Sequence, residues 1–198
     1  MSKLNMELSS SPGMKTNLIE ALALLPDFRA SRGKRYPLWL ILLLVIMATM
    51  SDCYGYRALE DFARRHHQAL LENLDLPLMG FPSDSTFRRV MMSIDFTQLA
   101  QVLTNWIRDG MPTQEGDWLG VDGKSIKGTV NNYAQAYQDF VSVVSVFSSR
   151  CGVALALEQF RNKENSEIDI VQLLLANLGL TGVIFTFDAL HCQKKLSN

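Results

Sequence analysis

The chain has 198 residues, 47% hydrophobic and 20% charged, a composition that excludes disordered and fibrous classes and suits a globular protein. Nineteen basic and 20 acidic side chains leave a formal net charge of −1, so a nucleic-acid partner has to be sought in local patches rather than in global basicity. The three cysteines, Cys53, Cys151 and Cys192, make no CxxC pair, which speaks against a zinc knuckle or a disulfide framework and for a reducing, cytoplasmic setting.

Residues 1–15, MSKLNMELSSSPGMK, lack the apolar core of a secretory signal and read as a loose leader. From 16 to 112 the apolar spacing is helical. TNLIEALALLPDFRA is periodic until Pro26 breaks it. PLWLILLLVIMATM follows the basic RGKRY and so imitates a membrane span with a positive flank. Its unbroken apolar part, Leu38 to Ala48, falls short of the ~20 residues a bilayer requires. A wholly buried helix is expected there, and no membrane partner.

GYRALEDFARRHHQALLENL puts Tyr56, Leu59, Phe62, Ala63, Leu70, Leu71 and Leu74 on one face. After Pro77, Gly80 and Pro82, PSDSTFRRVMMSID starts a helix with Ser83 or Asp84 as N-cap. Together these two helices resemble a helix-turn-helix, in which Arg88 and Arg89 would meet base edges; ordinary packing within a helical domain is the alternative. Two basic patches, Arg29/Arg32/Lys34/Arg35 and Arg64/Arg65/His66/His67, are candidates for phosphate contact or for solvated faces. FTQLAQVLTNWIRDG is a further amphipathic helix, closed by Gly110.

Beyond residue 117 the periodicity changes. WLGVDG, DFVSVVSVFSS (139–149) and GVALALEQF (152–160) read as strands, the last two joined by a tight turn at 150–152. NSEIDIVQLLLANLG reads as a capped helix, and GVIFTFDAL (182–190) as a fourth strand. If the fourth strand lies parallel beside the first, the connection rules are satisfied and Asp122 and Asp188 become neighbours, although 66 positions apart.

Two adjacent carboxylates repel unless a cation lies between them, and Mg2+ suits oxygen donors near phosphate. Lys124 and Lys127 would then meet phosphate charge. An Asp-Gly turn after a strand is the plainer reading. Tyr133 and Tyr137, in an expected loop, are candidates to stack on bases, and His191 beside Cys192 lacks the further partners of a metal site.

The segments DFRASRGKRYPL, YRALEDFA, PSDSTFRR, GVDGKSIKG, NKENSEI and TFDALHCQK resemble, in order, those of bacterial insertion-sequence transposases of the H-repeat-associated group, within the DDE superfamily. The resemblance implies an α+β chain. A helical, DNA-binding N-terminal region (16–112) would precede the N-terminal part of an RNase H-like catalytic domain of βββαβ order (117–198). It implies Asp122 and Asp188 as catalytic and metal-holding residues, with Mg2+ or Mn2+ as cofactor. DNA (element ends and target) is the implied partner, with self-association and without a small-molecule substrate. The DNA-binding candidates are Arg32, Lys34, Arg35, Arg88, Arg89, Lys124 and Lys127.

The family's third acidic residue lies well downstream of the second, whereas ten residues without a carboxylate follow Asp188 here. The expectation is therefore a truncated, inactive copy of an enzyme that cuts and transfers DNA strands. A DNA-binding remnant that competes with the full-length protein, and a poorly folded relic, are the alternatives.

Overall fold

In the computed structural model, residues 17–77, 80–126, 129 and 140–187 are described. They form two compact units that divide within one helix, between Val102 and Leu103.

The first unit is helical. Asn17 caps α1 (Leu18–Ala23) in a reciprocal capping box with Glu20. A single 3-10 turn, Ser31–Gly33, precedes α2 (Leu38–Met50). Then come α3 (Tyr56–Asn73), α4 (Asp84–Ser93), whose N-cap is Ser83, and the start of α5 (Phe96–Gly110).

By length and composition alone, Ser31–Met50 is apolar enough to cross a bilayer. Its α-helical part, α2, is only thirteen residues, about 20 Å at 1.5 Å per residue. Leu38, Leu40, Ile41, Leu42, Leu43, Leu44 and Ala48 are buried against α1, α3 and α4. The all-round apolarity of the segment thus reflects packing on several sides. From α3 come Leu59, Phe62, Ala63 and Leu71, and from α4 Phe87 and Val90.

The second unit is a four-stranded sheet with helices. Strands β1 (Trp118–Ser125), β2 (Val141–Ser148) and β3 (Val153–Arg161) form an antiparallel meander. Helix α6 (Glu167–Leu178) then crosses over to β4 (Ile184–Phe187), which pairs parallel with β1. The order across the sheet is β3-β2-β1-β4.

Alternation decides the faces. Leu119 and Val121 of β1, Val144 and Val146 of β2 and Leu155 of β3 point toward Ile170, Val171 and Leu174 of α6. On the opposite face Trp118 is 56% exposed and Phe147 and Ile184 are each 43% exposed.

Ser166 caps α6, its hydroxyl accepting from Asp169 N and donating to Asp169 Oδ2. Gly179 closes the helix in the left-handed conformation (φ 56°). The β2–β3 turn uses Gly152 at φ 70°, a value that side chains with a Cβ avoid.

Where β1 begins, Asp117 is almost wholly buried and engaged on all sides. Its carboxylate accepts from Gln114 N (2.8 Å) and from Arg150 Nε (2.7 Å) and Nη2 (2.9 Å). Its carbonyl accepts from Ile184 N (2.8 Å) at the head of β4. The Arg150 guanidinium, and then the Gln114 amide, hold this carboxyl below its ordinary value of 3.8.

Two outcomes follow from this packing. Phe87 is fully buried, so Phe87→Ala should cost about 3–5 kcal/mol in chemical denaturation. Because the folded-state pKa of Asp117 is lowered, its stabilising contribution is present above the unfolded value and lost as pH falls through the folded one. The stability gap between the wild type and Asp117→Asn, measured by urea unfolding, should be full at neutral pH and close as pH drops below about 4.

Candidate functional site

Strand β1 is interior to the sheet, paired with β2 along its length and with β4 as far as Val121. Asp122 pairs with Ser145 across β2 and is exposed, on the face turned away from α6. The parallel ladder with β4 runs from Trp118↔Ile184 to Val121↔Phe187. Its last pair is therefore the residue before Asp122 and the residue before Asp188. Asp188 itself lies outside the described residues, as do Lys127, Tyr133, Tyr137, His191 and Cys192. Lys124 is exposed on β1, two positions beyond Asp122.

Gly123 carries the least expected feature. A Cβ built on it would collide with Glu167 Oε1 and stand 2.7 Å from Glu167 Cδ. The first residue of α6 therefore lays its carboxylate over the backbone of β1, in space that any side chain at 123 would fill. Alternation means that Glu167 arrives from the α6 side and Asp122 leaves on the other, so two carboxylates bracket one strand tip. Sequence reading takes in Glu167 only as part of the family-like NKENSEI segment and assigns it no role. Its position at the start of an acidic first turn has a sufficient local explanation in the helix dipole, and only the pairing with a glycine could have hinted at more.

The exposed Asp122 carboxylate is an oxygen donor of the kind Mg2+ takes, whereas Glu167 lies across the strand from it. Among the described residues, no group of three or more His, Cys, Asp or Glu is placed to hold a metal. The set fits only if Asp188 completes it.

The helical unit distributes its cationic candidates unevenly. Arg32, Arg35 and Arg89 line one cavity, whereas Arg88 and Lys34 are exposed and do not line it. Arg29 is structural: Nε and Nη2 donate to the two Asp27 oxygens (2.8 Å each), Nη1 to Gly33 O and Nη2 to Tyr36 O. That pairing holds the Asp27 carboxyl below its ordinary value. In the second patch Arg64 pairs with Asp61, Arg65 Nε donates to Asp61 O (3.3 Å), and the His66 ring packs on Phe62 at 4.5 Å. Residues 74–83 separate α3 from α4, a link longer than the three- or four-residue turn of a helix-turn-helix.

Gly123→Ala tests the strand tip. Glu167 Oε1 ends a flexible side chain and can swing away, and no positive φ is recorded at Gly123. The fold should therefore lose less than about 1 kcal/mol, while a crystal structure of the variant should show the Glu167 carboxylate displaced from β1.

Residues 19–107 match the model of the family described as DDE_Tnp_1-associated. The chain is 30% identical over 181 residues to "H repeat-associated putative transposase YhhI" of Escherichia coli K12, covering 91% of this chain and 47% of that protein. It is 29% identical over 181 residues to "Putative protein YbfL" of the same strain, covering 91% and 47%. To "Putative transposase YncI" of Escherichia coli O157:H7 it is 28% identical over 182 residues, covering 92% and 46%. The chain thus spans about half the length of these curated relatives. Over nearly all of its residues, in chain order, the chain is thus similar to H repeat-associated putative transposases, and residues 19–107 match the DDE_Tnp_1-associated model.

Proposed function

We propose that the chain serves DNA transposition, its second unit being part of an RNase H-like domain in which Asp122 and Asp188 hold Mg2+ (or Mn2+) for DNA strand cleavage and transfer. The observation that carries this reading is the β1–β4 register, whose last pair immediately precedes both aspartates. The βββαβ order and the transposase names of the relatives point the same way.

The residues of this chain have distinct tasks in that reading. Pairing with Ser145 of β2, just beyond the end of the β4 ladder at Val121, holds the Asp122 backbone, so its carboxylate is presented with little reorganisation. Glu167, across the strand, adds negative potential that further favours a cation at the tip. Lys124, exposed two positions beyond Asp122, would meet phosphate charge, the role the sequence also suggests for Lys127. Bound there, Mg2+ offsets the mutual repulsion of the carboxylates and polarises phosphodiester oxygens.

Titrating the chain with Mn2+ and following free ion by electron paramagnetic resonance tests the assignment. Asp122→Asn and Asp188→Asn should each weaken binding about tenfold or more, which is about 1.4 kcal/mol. Equal affinity of both variants and the wild type, or no binding at all, would refute the metal site.

A further inference from the structure

The helical unit has a cavity of about 710 Å3 between the loop 28–36 and one face of α4, from Ser83 to Ser93. Arg29, Arg32, Arg35 and Arg89 contribute to its wall, with the hydroxyl residues Ser83 and Thr86, and no acidic residue lines it. Arg29 is neutralised by Asp27, so three guanidinium charges face one concave surface. Such a surface attracts a polyanion and repels a cation.

The wall is built rather than incidental. The Arg29 side chain, 9% exposed, ties residues 27, 33 and 36 together and sets the loop that carries Arg32 and Arg35. Tyr36 Oη donates to Phe81 O (2.9 Å), closing the loop against the segment that leads into α4. Arg35 lies 5.5 Å from the Tyr36 ring centroid, close enough for a cation–π contact. Gly80 packs underneath, where a Cβ would come within 3.3 Å of Tyr36 Oη and 3.6 Å of Arg35 Nη2. Arg89 is steadied by Nε donating to Ser85 O (3.1 Å), which uses one of its five donors. Phe28, 46% exposed, stands at the wall of the cavity.

We infer that this cavity is a seat for the DNA sugar-phosphate backbone, with Arg32, Arg35 and Arg89 each taking a phosphate oxygen. The seat rests on the reading of the chain as a protein that acts on DNA, and it names a surface of the helical unit that grips the duplex. Three separate guanidinium groups on one wall offer more contacts than a single free phosphate takes up, and so favour a polyanionic backbone. Phosphate contacts of this kind position a protein on DNA without reading its sequence.

The test is fluorescence anisotropy with a labelled random-sequence duplex over a series of KCl concentrations, using the full 198-residue chain. Removing three phosphate contacts in Arg32→Ala/Arg35→Ala/Arg89→Ala should weaken binding tenfold or more. It should also flatten the slope of log K against log[KCl] by roughly 3, at about 0.9 per contact. Arg57→Ala, which removes an exposed charge of the same unit outside the cavity, should stay within about twofold of the wild type. If circular dichroism shows the triple variant unfolded, Arg89→Ala alone should flatten the slope by about 0.9.

Wild-type affinity and slope in the folded variants overturn the seat, and so does a wild type that binds no duplex at any salt. The Mn2+ titration decides the carboxylate site independently of both results.

Discussion

The bond system around Asp117 is the constraint on which the second unit depends. One buried carboxylate joins the segment before β1, through Gln114 N, to the β2–β3 turn, through Arg150. The carbonyl of the same residue starts the parallel ladder by accepting from Ile184 N. Gly116 N adds a bond to Gly182 O at 2.6 Å. Strands that are distant in sequence pay a loop-closure entropy before their contacts form. A fixed origin for the ladder selects one register among the slipped alternatives. Everything proposed for the strand tips inherits its alignment from that origin.

Much of the architecture was legible in the sequence because the periodic signals were strong. Leu38 to Met50, Tyr56 to Asn73, and strands β1, β2 and β3 lie within a residue or two of where apolar spacing puts them. Ser166 and Gly179 act as the two helix caps that their residue types announce. The parallel return of β4 follows from the crossover helix together with connection handedness.

What stayed hidden was side-chain pairing across turns. Arg29 looked like one more cation in a basic patch until its bond to Asp27 removed it from the set of available charges. Arg32 and Arg35 in one segment and Arg89 in another gave no sign that they share a cavity. Glu167 over Gly123 is the sharpest case, because an acidic helix start and a glycine in a strand each have sufficient local explanations. Only the fold sets one against the other.

The greasy stretch at α2 has a consequence for how the chain is made. Its burial is supplied by helices on both sides, and the later of these is completed only when Phe87 and Val90 exist. At about 5 to 20 residues per second, the roughly forty residues between Met50 and Val90 take about 2 to 8 seconds to synthesise. Throughout that interval the aliphatic rod of a nascent chain lacks the part of its cover that α4 supplies. Chaperone capture and early clumping compete with folding in that window, before any of the β-sheet has been translated.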